Sequence, residues 1–131
     1  MKKLLPILGL VMLCTYLNAQ NSALPAPVYT TMVKACTSAD ITMLQGGAGS
    51  MSIDEDNIAM LQDFITEINI DKPCSEPTAN IMCLVHGSEL VSGTVYLTKA
   101  GGAVVFNIEG VEYVNALNIK GADFFRQAIA L

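Results

Sequence analysis

The segment NIMCLVHG, residues 80–87, contains Cys83 and, three positions later, the only histidine of the chain, His86. Cysteine and histidine can bind zinc or form a nucleophile–base pair. The segment is a short apolar run, which predicts a buried strand, and successive side chains of a strand point to opposite faces. Because positions 83 and 86 differ by an odd number, these two side chains cannot chelate one ion. We therefore expect neither a metal site nor a cofactor.

A thiol-dependent enzyme is the alternative chemistry, with Cys36 as the nucleophile and His86 as its base. Such a pair needs the thiolate within hydrogen-bond reach of the imidazole, and folding could bring the two together. The residues around Cys36, KACTSAD, do not form a recognisable catalytic motif. The sequence therefore favours a protein without catalytic activity, and the thiol enzyme stays open as the alternative.

The first 19 residues have the pattern of a secretory signal peptide. Two lysines are followed by the apolar residues 4–14 and by a cleavage-like site ending at Ala19. The apolar run is shorter than the roughly 20 residues that cross a bilayer. Cleavage after Ala19 predicts an exported protein, periplasmic or secreted, with no transmembrane segment left. A lipid anchor at Cys14 is less favoured, because Leu13 and not a small residue precedes it.

The charge balance argues against nucleic acid as a partner. The chain has seven basic and twelve acidic residues, a net charge of −5, and removal of Lys2 and Lys3 would leave five basic residues against twelve acidic ones. Phosphate backbones are bound chiefly by clustered lysine and arginine, which this chain lacks. It also contains no tryptophan, which disfavours a lectin-like stacking platform for sugars.

Three cysteines remain after residue 19, and an oxidising compartment favours one disulfide among them. Three single pairings are possible, and each leaves one thiol over. We expect Cys74–Cys83, which would tie the loop DKPCSEPT to the strand that follows it. Cys36 would then be a buried thiol or an intermolecular partner.

Two helices are predicted in the first half of the chain. Residues 28–45 have apolar residues at helical spacing, with a possible break near Thr37. Residues 53–68 form the stronger pattern, in which Ser52 and Glu55 match a capping box. The apolar stripe of this second helix recurs at positions Ile58, Leu61, Ile65 and Ile68.

From residue 79 the pattern indicates strands. Residues 79–85 are continuously apolar, and residues 94–98 and 103–109 flank a glycine pair as a hairpin does. Residues 111–119 fit either a fourth strand or a short helix, and residues 122–131 predict a terminal helix.

The expected fold class is therefore α+β: N-terminal helices, then a small antiparallel sheet of three or four strands, then a C-terminal helix. Residues 20–27, rich in proline and small side chains, read as an exposed leader. Residues 28–131 form a single domain of ordinary size.

The predicted hairpin supplies the candidate binding surface, because an unpaired edge strand accepts a partner. The candidate residues on this edge are Thr94, Tyr96, Thr98, Asn107 and Glu109. The expected partner is another protein or a component of the cell envelope.

Residues 91–111, VSGTVYLTKAGGAVVFNIEGV, resemble the opening hairpin of the copper–zinc superoxide dismutases. The resemblance implies a β-hairpin. The histidines that bind copper and zinc in that family have no counterpart in EYVNALNIKGADFFRQ, which follows, so it implies no metal chemistry.

The C-terminal half is also similar to the small KTSC domain, in which strands precede a helix entered through a Gly-x-x-Phe step, here Gly121 to Phe124. The Tyr-x-Tyr of that family is VVF here, and its proline after the last strand is absent. The resemblance implies RNA binding, which fits an acidic exported chain poorly, and it assigns no site residues.

Overall fold

The computed structural model describes residues 24–47, 49–85 and 89–131. Within these residues the dominant feature is one antiparallel sheet of seven strands. The strands are β1 (Cys36–Met43), β2 (Ser50–Ile53), β3 (Ile65–Asn69), β4 (Ala79–Val85), β5 (Glu89–Leu97), β6 (Gly102–Ile108) and β7 (Val111–Leu117). The helices are α1 (Ala26–Tyr29), which continues into a π-helical turn (Thr30–Lys34), then α2 (Ile58–Phe64) and α3 (Ile119–Ala130). No helix in the described ranges is long and apolar enough to cross a membrane.

The α+β prediction is wrong, because the fold is mostly sheet. The strand order across the sheet is β2-β1-β4-β5-β6-β7-β3, so short strands from the first half of the chain form both edges. The predicted strand at residues 79–85, the hairpin and the terminal helix are present. Residues 111–117 form a strand, which decides between the two alternatives for that segment.

The helix expected over residues 28–45 ends early. Helical structure stops at Lys34, and β1 begins at Cys36. Along β1 the buried Ala39 and Ile41 alternate with the exposed Asp40 and Thr42. This period of two is that of a half-buried strand. The β-branched threonine and isoleucine side chains also suit a sheet.

The helix expected over residues 53–68 is only seven residues long. Ile58 and Leu61 are buried as predicted, but the chain is extended from Ile65 onward. Ser52 does not cap a helix; its hydroxyl donates to Asp40 Oδ1 at 2.8 Å across the β1–β2 pair. The helix therefore begins at Ile58, five residues later than the capping pattern indicates.

One face of the sheet, here called the inner face, is covered by the helices. The π-helical turn, α2 and α3 pack on it, and Phe125 of α3 and Phe106 of β6 are almost completely buried between the layers. Leu24, which falls in the segment predicted as an exposed leader, is only 3 % exposed and belongs to this core. Residues 1–19, predicted as a signal peptide, lie outside the described residues.

The opposite, outer face is covered over half of its width by the chain itself. Residues 70–78, here called the connector, run from the β3 edge across β7, β6 and β5 to β4. Ile70 packs on a small apolar cluster of the outer face, and Lys72 pairs with Glu112 of β7 at 2.9 Å. The backbone N–H of Thr78 donates to the carbonyl of Val95. The outer face of β2, β1, β4 and the adjoining part of β5 lies beyond this cover.

Candidate functional site

Cys36 and Cys83 lie together beneath α2. Cys36 starts β1 and Cys83 is in the middle of the neighbouring strand β4, both on the inner face. The two thiols line the same small cavity, and Cys36 Sγ donates to the carbonyl of Ser38 at 3.1 Å. A register shift between Cys36 and Ser38, of the kind a β-bulge produces, re-aims the first side chain of the strand.

Gln62 of α2 lies beside the two thiols and lines the same cavity. Its Nε2 donates to the carbonyls of Val33, Lys34 and Cys36 at 3.0, 2.7 and 3.1 Å. The Val33 and Lys34 carbonyls lie at the end of the π-helical turn, and the Cys36 carbonyl lies at the start of β1. A cavity of about 10 Å³ remains beside the thiols, lined mainly by apolar side chains. That volume is about one water-sized sphere.

The pKa values of the two thiols are shifted in opposite directions. The hydrogen bond from Cys83 lowers the pKa of Cys36, assisted by backbone N–H groups and opposed by burial. The same hydrogen bond raises the pKa of Cys83, and burial raises it further. The pair therefore holds one thiolate more readily than two.

This arrangement does not favour the enzyme alternative. Cys36 is only 5 % exposed, whereas a catalytic thiol has to meet its substrate. His86, the proposed base, lies outside the described residues. Within residues 24–47, 49–85 and 89–131, no group of three or more histidine, cysteine or acidic side chains is placed to hold a metal ion.

The predicted disulfide is not present either. Cys83 is a free thiol that points into the core toward Cys36. Cys74 lies in the connector, on the other side of the sheet, and is exposed. The prediction failed because it weighed the shortness of the Cys74–Cys83 loop and not the face to which each side chain points.

The hairpin that contains the predicted binding residues is not at an edge of the sheet. β5 pairs with β4 and β6, and β6 pairs with β5 and β7, so the hairpin lies inside the sheet. Thr94 is half-buried and donates to Asn80 Oδ1 at 3.3 Å, while Tyr96 is covered by the connector and has Lys72 Nζ 5.9 Å from its ring centroid.

The other three candidates are scattered over two turns. Thr98 closes the β5–β6 turn through hydrogen bonds with Gly101. Asn107 is exposed at the end of β6, and Glu109 occupies a left-handed position (φ 53°) in the β6–β7 turn. The structure therefore does not bring the five candidates together.

A different surface is left open. We call it the open face: the outward side chains of the first four strands in the sheet order. In register they form two rows, Ser50–Thr42–Asn80–Thr94 and Ser52–Asp40–Met82–Ser92. All of these side chains are exposed except the half-buried Thr94.

The open face is polar and carries no positive charge. β1, β2, β4 and β5 contain no lysine or arginine, and Asp40 stands near the centre of the surface. A depression of about 370 Å³ follows the two rows. A second one, of about 480 Å³, lies at the start of β1 and is lined by residues that include Asp54, Glu55 and Leu84. The surface thus combines hydroxyl groups, carboxylates and isolated apolar side chains.

The open face was missed because β1 was assigned to a helix and most of β2 fell in the break between the two predicted helices. The alternation in SADITM and the polar–apolar repeat in SMSI were the available signals. No known protein family model, curated protein or solved structure matches this chain. The candidate site therefore depends on its geometry alone.

Proposed function

We propose that this chain is an exported, non-catalytic binding protein that docks a basic surface of another protein onto the open face. The carrying observation is that four adjoining strands present an exposed surface with a carboxylate, Asp40, and without a lysine or arginine in any of the four. Elsewhere on the same side of the sheet, the connector covers the strands. The signal-like N-terminus supports an extracytoplasmic setting.

The chemistry of the surface identifies the class of partner. Asp40, Asp54 and Glu55 attract lysine and arginine side chains and repel phosphate. Serine and threonine hydroxyls can donate or accept hydrogen bonds. Met82 and Leu90, 41 % and 61 % exposed, offer apolar contacts between them. Methionine adapts to irregular partner surfaces, which suits a docking site.

The size of the surface indicates a modest affinity. Neighbouring strands are about 4.8 Å apart, so four strands span roughly 14 Å. The eight residues of β1 extend about 26 Å at about 3.3 Å per residue. The four strands therefore offer roughly 400 Å², which is below the roughly 800 Å² that each partner contributes to a standard stable interface. We therefore expect a reversible complex whose association is weakened by salt.

Site-specific photo-cross-linking in the native host tests this proposal. A photoreactive amino acid replaces Met82 on the open face or, as the matched control, Val111, a strand residue of similar exposure (46 %) that lies outside it. We expect a discrete adduct from position 82, and we expect the attached peptide to be rich in lysine or arginine. The adduct should be absent from position 111 and should be lost when Asp40→Lys is added.

Three outcomes would contradict the proposal: an adduct to a second copy of this chain, an adduct equally strong from position 111, or none from position 82. Circular dichroism of each variant shows that the fold is retained, so that a missing adduct reports on the surface.

A further inference from the structure

Cys36 and Cys83 are two buried thiols whose chemistry the binding proposal does not use. They are separated by 47 positions in the chain but lie on adjacent strands and on the same face of the sheet. Both line the same small cavity. Ala39 of β1 lies directly opposite Cys83 of β4, and Cys36 lies opposite Val85. Cys36 is therefore a diagonal neighbour of Cys83 across the strand pair.

The position of Cys36 allows the small movement that a disulfide requires. A disulfide needs Cβ atoms about 3.5–4.5 Å apart, closer than diagonal neighbours in a regular sheet. Cys36 is the first residue of its strand, follows the π-helical turn, and precedes the register shift. Its side chain can therefore approach Cys83 without disturbing the regular pairing from Ala39 to Met43.

We infer that Cys36 and Cys83 are an oxidisable pair that forms an intrachain disulfide linking the start of β1 to β4. The pairing differs from the Cys74–Cys83 bond that loop length favours. This bond ties β1, one of the four strands of the open face, covalently to β4.

Because Cys36 is only 5 % exposed in the folded chain, the oxidation takes place while the pair is uncovered, during folding or local unfolding near α2, by thiol–disulfide exchange with an external disulfide. The Cys36 thiolate attacks one sulfur of the external disulfide and releases its other sulfur as a thiolate. The Cys83 sulfur then loses its proton to water and attacks Cys36 Sγ, which releases the second external thiolate. Two protein thiols thereby give two electrons and two protons to one external disulfide, which becomes two thiols. The lowered pKa of Cys36 suits it to the first step.

The bond would stabilise the sheet at a vulnerable point. β1 pairs with β4 on one side and only with the four-residue β2 on the other. The cross-link closes a loop of 47 positions, long enough for a substantial loss of entropy in the unfolded chain. We expect the oxidised form to melt on the order of 10 °C above the reduced form.

The test uses the full chain with Cys14→Ser and Cys74→Ser, so that Cys36 and Cys83 are the only cysteines. The protein is equilibrated with mixtures of reduced and oxidised glutathione, quenched in acid, unfolded, alkylated and digested. We expect a linked peptide pair containing Cys36 and Cys83, and a higher Tm in the oxidised sample. Adding Cys36→Ala should abolish both the linked pair and the Tm difference.

Wild-type protein gives a second, independent measurement if the serine variant fails to fold. Its non-reduced digest should contain the Cys36–Cys83 pair. A digest in which Cys83 is linked to Cys74 contradicts the assignment, as does complete alkylation of both thiols after oxidation. A Tm that falls on oxidation contradicts the stabilising role.

Discussion

Gly46 lies directly against the backbone of Ile129, near the end of α3. A Cβ atom at position 46 would overlap the carbonyl oxygen of Ile129, and Gly46 has a φ of +79°. The glycine-rich turn after β1, which in sequence resembles a flexible linker, is therefore packed against the C-terminal helix.

Replacement of Gly46 by alanine should destabilise the protein by about 3 kcal/mol. The left-handed conformation costs an L-residue roughly 1–2 kcal/mol, and displacement of α3 adds to it. Gly49→Ala is the matched control, because Gly49 has a φ of +68° but open space around it; it should cost only about 1 kcal/mol. Urea unfolding of both variants measures the difference, and equal losses would show that α3 does not pack there.

Asn118 joins the end of α2 to the start of α3. Its Oδ1 accepts from the N–H of Gly121 at 2.8 Å as a helix cap, and its Nδ2 donates to the carbonyl of Asp63 at 2.6 Å. Asn118→Ala removes both bonds and should lower the free energy of unfolding by about 1–3 kcal/mol. Asn107→Ala, at an exposed position, should change it by less than about 0.5 kcal/mol. If Asn118→Ala lowers the free energy of unfolding no more than Asn107→Ala does, Asn118 does not both cap α3 and hold the end of α2.

Asn115 is a fully buried amide on the inner face. Its Nδ2 donates to the carbonyl of Thr66 at 2.9 Å, which supports the irregular β3–β7 pairing, and its Oδ1 has no partner among the described residues. Asn115→Asp would place a carboxyl group there, and burial would raise its pKa in the folded state. The variant should be several kcal/mol less stable than wild type at neutral pH.

That penalty should shrink as the pH falls below the raised folded-state pKa, because the neutral acid is easier to bury. Thermal melts from pH 7 to pH 4 measure it, with the exposed Asn107→Asp as the control. A penalty that is constant over this range would mean that position 115 is open to water.

The reduced thiol pair should make stability depend on pH in the alkaline range. Cys83 has a raised pKa when folded, so its contribution is full below the ordinary thiol pKa, about 8.5, and is lost as the pH rises above it. Cys36 has a lowered pKa, so its contribution is present above the ordinary value and is lost as the pH falls through the folded-state pKa.

Above about pH 9 only the Cys83 contribution still changes, by at most about 1.4 kcal/mol per pH unit. The difference in unfolding free energy between reduced wild type and Cys83→Ala should therefore fall from pH 9 to pH 10. A constant difference would mean that Cys83 does not keep its proton in the folded protein.

The second half of the fold could be predicted from the sequence, and the first half could not. In β4 and β6 the strand pattern is continuous and the glycines mark the turn, so local signals and tertiary structure agree. In residues 53–68 the apolar spacing is helical throughout, yet Ile65 pairs with Leu117 of β7. Pairing with a distant strand overrides the local preference there, and no local pattern reveals it.

The site shows the same division. The continuous apolar run correctly predicted that Cys83 is a buried strand residue, but its position beside Cys36 follows only from the β1–β4 pairing. The hairpin was identified, whereas its place inside the sheet depends on β4 and β7. Edge and interior strands are told apart by the topology of the whole sheet, which the hairpin sequence does not contain.

The most direct test of the open face measures the affinity for the partner captured from position 82. It compares the effects of two charge reversals on that affinity. Asp40→Lys lies on the open face, and Glu67→Lys makes the same charge change on β3, at the opposite edge of the sheet. We predict that Asp40→Lys weakens binding at least about tenfold, that Glu67→Lys leaves it within about twofold, and that added salt weakens the wild-type complex. Equal effects of the two reversals, or a complex indifferent to salt, would contradict binding through the open face.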